Sequence, residues 1–545
     1  MRASGVLGPQ LVAATEELPQ VTASEVKHGF MLQRLSQPMA ERVPTWEGRS
    51  RVTLRADDDE TRKVAKQAWD AIAPQEEDPI LFRFSVDLAW VEATRTSEPR
   101  VITATKERLT FVHSRHISWL YKMGKGDKEV EPPSRVIDDQ LANPHPPVPM
   151  LTGVRSTPIF GPSGSLVNAA GYDSESCYFL WPAKLKIPFV PRHPTAADVA
   201  KARYILCTEV LVDFPFEDDS SLAHAIAGML QPFVRPMIHG PTPLHLIAKP
   251  TPGTGGTLLA EVVAIPALGR SPSPMTAGKL EDEWRFRIFG TLMDAPAVVL
   301  LDNLNKRLDS AAFASVLTAT TFKDRKIRSS TVLVVPVQCL WLATGNNPSL
   351  SDELGRRAVP IFLDANVERP EERSEFRHDD LKQWSLEHRS DIIWSLLVLV
   401  QCWIDRGRPR PDRRMGSYES WSDVVGGILK VSGFEGFLDN RSRLQDDSLA
   451  EMQAWRTLVE IWHERFGGSP VRSSDVHALV PEEMAELLGL GADGSRSRST
   501  KWGELLATKR GCVLAGYKVL RAPSKQGFAM WRLESVGAAR EEKGQ

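Results

Sequence analysis

The residues best suited to chemistry lie in the run Pro250-Thr251-Pro252-Gly253-Thr254-Gly255-Gly256-Thr257. Glycines bunched ahead of a helix let backbone N–H groups wrap an anion, and the helix dipole favours negative charge at the same point. The chemistry is polyphosphate binding, with Pro252, Gly253, Thr254, Gly255, Gly256, Thr257 and Leu258 as candidate contacts. Against the pattern GxxxxGK[ST], Pro250 replaces the first glycine and Gly256 replaces the lysine. That lysine normally makes a charge-assisted contact to the β and γ phosphates worth roughly 1.5–3 kcal/mol in binding. Lys249, just before the loop, is within reach as a substitute but matches no known lysine pattern. A glycine-rich strand-to-helix turn holding no nucleotide is the alternative reading.

Two further polar points follow in order. About 45 residues on, the apolar run Val298-Val299-Leu300-Leu301 ends in Asp302. A carboxylate there is placed to hold the Mg²⁺ that Thr257 would also contact. Asn303 follows, where a glutamate would polarise an attacking water. An acid capping the next helix accounts for Asp302 taken alone. The run 339–343 then delivers Thr344-Gly345-Asn346-Asn347. Asn346, and after it Asn347, suits orienting a water or a γ-phosphate, although loop asparagines are also common turn formers.

These points need strands and helices to hold them. Residues 244–249, 297–301, 331–335 and 339–343 read as strands, and 258–267, 278–293 and 310–318 as helices. Continuous apolar strands separated by helices imply an α/β fold with a parallel sheet covered on both faces. With 545 residues the chain exceeds one ordinary core. The expected division is a poorly ordered extension over 1–77 with one helix at 61–72, an α+β accessory domain over 78–200, and a phosphate-loop core over 201–366. A helical domain over 367–468, a winged-helix-like domain over 469–536 and a tail over 537–545 complete it.

Composition narrows the partners. At 42% hydrophobic and 25% charged residues the chain reads as an average globular protein. Net charge is −2, so any nucleic-acid contact must be local. Two local clusters exist. Phe322-Lys323-Asp324-Arg325-Lys326-Ile327-Arg328 carries four basic residues in seven. From Arg496 to Arg532, nine basic residues, among them Arg496, Arg498, Lys501, Lys509 and Arg510, face Glu504 alone. Both suit DNA phosphates, contacts that carry no sequence information, and both read otherwise as solvated faces. The five cysteines are scattered without a CxxC pair, which argues against a disulfide framework or structural zinc and for a reducing, cytoplasmic setting. The longest apolar run, 392–404, contains Ser395 and Gln401 and falls short of the ~20 residues of a bilayer span. Residues 1–20 lack an export pattern, and no membrane partner is expected.

Read together, PTPGTGGTLLAE, VVLLDN, LTATTFKDRKIRSS, LWLATGNN, GRRAVPIFL, RPEERSEFRHDDLKQW and WSDVVGGILKVSGFEGFLDN resemble the superfamily 3 helicases. The text is closer still to helicase-like ATPases encoded by bacterial phages, plasmids and integrative elements, over roughly residues 81–533. The resemblance implies an AAA+/superfamily 3 P-loop NTPase core that uses ATP and Mg²⁺. It implies that Gly253, Gly255 and Thr257 cradle phosphate, Asp302 coordinates Mg²⁺ and Asn346 senses nucleotide. It also implies that Arg356 or Arg357 reaches a neighbouring subunit's nucleotide, hence a homo-oligomeric ring, a hexamer being one form; a surface ion pair is the plainer role for either arginine. The basic hairpin would grip DNA in the channel during replication of a mobile element. Asn303 fits the family, whereas Gly256 stands where members carry lysine. No primase constellation is evident in the first 200 residues, so priming would need a separate polypeptide. Two function classes follow: a ring-forming ATPase and DNA helicase, or a catalytically inactive DNA-binding scaffold or regulatory partner, for which Gly256 is the motive.

Overall fold

The computed structural model describes residues 51–536 except 74–78, 93–98, 125, 182–184, 305–306, 326–331, 368, 482–483, 486–487, 489, 491–494 and 526–527. Two compact units divide at Arg441, within the stretch read from sequence as helical.

The first unit opens with elements that the sequence places in a poorly ordered extension. The strand Val52–Arg55 pairs in parallel with Ile117–Met123, and the helix Thr61–Ile72 buries Val64, Ala65, Ala68, Trp69 and Ile72 against Leu109, Val112, Val136 and Ile137. Residues 51–73 thus belong to the packed accessory region. The helix lies where the sequence places it, at 61–72, and what differs is its packing: its apolar face is covered by neighbouring helices rather than left on an extension. Residues 1–50 lie outside the described residues.

The core follows as α1 (Asp219–Val234), β1 (Leu244–Lys249), α2 (Gly256–Leu268), α3 (Glu281–Met293), β2 (Val298–Leu304), α4 (Ala311–Leu317), β3 (Thr321–Arg325), β4 (Val332–Pro336), β5 (Leu340–Asn346) and β6 (Ala358–Phe362). Asp218 caps α1 by accepting from the Ser221 N–H at 2.7 Å, which gives the Asp218–Ser221 run a structural role. Four strands form a parallel sheet in the order β2-β5-β1-β6. The asparagine-bearing strand therefore lies between the loop strand and the aspartate-bearing strand.

Both faces of the sheet are covered, as continuous apolar strands require. Leu340 and Leu342 of β5 share a core with Ile226 and Leu230 of α1 and Val262 and Val263 of α2. Trp341 points the other way onto Phe313 of α4, whose ring also meets Trp284 of α3. β3 and β4 stand outside this sheet as an antiparallel hairpin. Sequence text alone gave β4 the look of another core strand. Trp394, Trp403 and Trp421 are buried in the helical part of this core.

The second unit comprises most of the helix Arg441–Phe466, the helices Ser473–His477 and Ser495–Thr508, and a sheet ordered Val471–Arg472, Phe528–Ser535, Tyr517–Lys525, Val513–Leu514. Its core gathers Trp455, Trp462, Trp502 and Trp531, so these aromatics pack rather than offer faces to a ligand. Among the described residues no helix is long and apolar enough to cross a membrane.

Candidate functional site

The loop between β1 and α2 turns through two left-handed glycines, Gly253 at φ 82° and Gly255 at φ 95°. Side chains rarely adopt that backbone, so both positions favour glycine. Gly255 caps α2, and its carbonyl accepts from Leu259 N–H at 2.9 Å. The Thr254 hydroxyl donates to Thr251 O at 2.7 Å and stiffens the turn. Pro252 and Thr257 are exposed, Leu258 is partly buried, and Gly256 is buried.

Two of the three sequence points touch, and the third lies at the end of the strand between theirs. In register, Lys249 at the end of β1 sits beside Asn346 at the end of β5, and Leu301 of β2 beside Ala343. Asp302 Oδ1 accepts from the Thr257 hydroxyl at 3.0 Å and from the Thr344 hydroxyl at 2.6 Å. The Thr344 hydroxyl also accepts from Asn303 N–H at 2.9 Å, which holds Asn303 in a left-handed turn at φ 56°. Asn346 is exposed at the strand tip. Asn347 serves the backbone instead: its N–H donates to Lys249 O at 2.9 Å, and its Nδ2 lies 3.5 Å from Pro250 O. Lys249 is partly buried; burial lowers its pKa, opposed by the negative charge of Asp302.

Two participants were not apparent from spacing. Thr344 of β5 links the Asp302 carboxylate to the Asn303 N–H, and its only signal is its place two residues before Asn346. Glu371, in the short turn Pro370–Glu372, lays a carboxylate oxygen 3.0 Å from where a Cβ on Gly253 would sit. That acid is over a hundred residues away in sequence, so no local pattern points to it.

Arg356 and Arg357 fall at the opposite end of the strands from the loop. They precede β6, and the Arg357 carbonyl accepts from the N–H of Leu244, the first residue of β1, at 3.0 Å. The five steps from Leu244 to Lys249, at ~3.3 Å each, put roughly 17 Å between that end and the loop. Arg357 is held by Glu353, through the carboxylate at 3.0 Å and the carbonyl at 2.8 Å, whereas the Arg356 side chain is exposed.

Of the basic residues, Lys323 and Arg325 are exposed on β3, flanking Asp324. Asp324 is buried and takes two bonds from Arg285 of α3, at 2.9 and 3.2 Å, which anchor the hairpin. Lys326 and Arg328 lie outside the described residues. Arg496, Arg498 and Lys501 belong to the helix Ser495–Thr508, with Lys501 exposed. Arg510 is exposed, while the Lys509 ammonium lies 5.3 Å from the ring centre of Trp455. His378 stacks on Trp384 and contacts Glu209 O at 3.0 Å, and no group of metal ligands of the His, Cys, Asp and Glu type occurs among the described residues.

No family model and no curated protein matches the chain. Among solved structures it is similar to the apo C-terminal region of NrS-1, at TM-score 0.34 and 12% identity, covering 83% of this chain and 95% of that one. It is similar to the SCCmec type IV Cch active helicase at TM-score 0.35 and 10% identity, covering 83% and 91%. A JCV helicase gives TM-score 0.19 and 15% identity over 45% and 70%. TM-scores this low leave the reading of the site to its own geometry.

Proposed function

We propose that the ends of β1, β2 and β5 form an ATP·Mg²⁺ site of an additional-strand P-loop protein that engages DNA as a helicase-like ring. The observation that carries this is the bond between Thr257 and Asp302, 45 positions apart in sequence, at 3.0 Å. That separation is also roughly what two adjacent oxygen ligands show on an octahedral Mg²⁺ with bonds of ~2.1 Å. A hydroxyl and a carboxylate are the oxygen donors such an ion takes, so the residues present fit it. When bound, the ion would draw charge from the phosphate oxygens.

The chain's own groups supply the rest. The N–H groups at the start of α2 would bind phosphate, Thr344 would fix the rotamer of Asp302, and exposed Asn346 would orient a water or the γ-phosphate. Arg356, at the far end of the strands and not spent on its own loop, suits a contact to a neighbouring subunit's nucleotide and hence a homo-oligomer. Lys323, Arg325, Lys501 and Arg510 are exposed cations suited to DNA phosphates. Gly256 in place of the loop lysine is what puts turnover in question. The scaffold reading is favoured by one observation, Gly256, and differs only in turnover.

ATP hydrolysis by the full chain, with and without single-stranded DNA, separates the two. Turnover that DNA stimulates and that Asp302→Ala abolishes supports the motor. Binding of ATP without turnover supports the scaffold, and a chain that neither binds nor hydrolyses ATP contradicts both nucleotide readings.

A further inference from the structure

Gly256 is the departure that most weakens a phosphate site, and the structure shows what lies beside it. A Cβ built on Gly256 would come 3.0 Å from both Cδ and Nζ of Lys249, and 3.4 Å from Ile247 Cγ2. The Lys249 side chain therefore crosses from the end of β1 to the first turn of α2. Its ammonium rests where a side chain at position 256 would leave the backbone. Its own backbone is fixed by pairing of β1 with β5, continued by the bond from Asn347 N–H to Lys249 O at 2.9 Å. The ammonium makes no ion pair among the described residues, although the charge of Asp302 acts on it.

A partly buried cation, unpaired among the described residues, beside a glycine-rich loop at a helix N-terminus, is poised for an anion. Resting on the ATP·Mg²⁺ reading above, we propose that Lys249 makes the β,γ-phosphate contact that a lysine at 256 makes elsewhere. Gly256 is then the residue that leaves room for it: the cation has been moved by seven positions rather than lost. A side chain at 256 would have to displace Lys249 to exist.

The relocation predicts a swap. Titration calorimetry of MgATP into the full chain reads the affinity of the unaltered protein, Lys249→Ala, Lys249→Met and the double variant Lys249→Ala/Gly256→Lys, with circular dichroism confirming that each folds. Loss of a charged contact of this kind should weaken binding by ~10- to 100-fold in both single variants. The double variant should return to within about threefold of the unaltered chain, because one lysine again shares the space. Single variants that bind within about twofold of the unaltered chain overturn the relocation while leaving the ATP site standing. So does a double variant no better than Lys249→Ala. Absence of MgATP binding by the unaltered chain itself overturns the ATP reading, and the relocation with it.

Discussion

Asp302 Oδ1 accepts two hydroxyls at once, so its carboxylate is oriented before any ligand arrives. Removing it should cost the site both its ion and the tether on Thr257. Asp302→Ala is expected to weaken MgATP binding by at least ~10-fold while leaving Mg²⁺-free ATP binding within about twofold, read by the same titrations with and without EDTA. Glu371 acts the other way. Its carboxylate over Gly253 stands where phosphate charge would gather. Glu371→Gln should tighten MgATP by roughly two- to fivefold, the size of one screened like-charge contact, and the effect should shrink in high salt. Unchanged or weaker binding would mean the acid does not face the phosphates. Thr257, Asp302 and Asn346 were legible because each sits at a fixed offset from an apolar strand. Thr344 and Glu371 were not, because what they do depends on neighbours that only the fold brings close.

Strands buried on both faces were the easiest elements to read, since largely apolar runs between helices suit a covered sheet: β1 spans the residues expected of it, 244–249. The hairpin strand β4 carries similar text, Val332-Leu333-Val334-Val335, and nothing local separates it from a core strand. Its placement rests on Arg285 holding buried Asp324. Arg285→Ala leaves that buried carboxylate with only the Arg325 N–H, at 2.8 Å, and should destabilise the hairpin by ~1–3 kcal/mol, seen as faster amide exchange over the described residues of 321–336 with the sheet unchanged. Histidines at the sheet add a pH dependence. The N–H of Leu438 donates to His224 Nε2 at 3.0 Å, so the ring's Nδ1 carries the proton shared with Pro360 O. Burial pushes His224 down to about 4 and, with His224 nearby, His245 down to about 3. Both folded values lie below the unfolded one, so this stability is full above pH ~6.5 and is lost as pH falls towards the folded values. Thermal unfolding should show a loss of ~2 kcal/mol per ring by pH 5, and His224→Gln should flatten that slope. A midpoint independent of pH between 7 and 5 would contradict the burial of neutral rings.

Across the whole molecule the charge is almost balanced, yet basic residues collect at two places, the β3 edge and the second unit. The nearly neutral total masks these two clusters, which only the local counts show. DNA affinity measured by anisotropy on the full chain should fall steeply with salt, and Lys501→Ala with Arg510→Ala should weaken it evenly across sequences, lowering the salt slope by about 2. A sequence-dependent loss would point to base contacts instead. The expected domain boundaries were least legible of all, because residues 51–73 reveal their packed face only in company of the helices they meet. The central claim is that three separated segments converge on one triphosphate. Hydrogen–deuterium exchange of the full chain with and without MgATP tests it most directly. Residues 250–258, 300–304 and 344–347 should gain protection together, at the same ATP concentration; protection confined to one of them, or to none, would contradict the account.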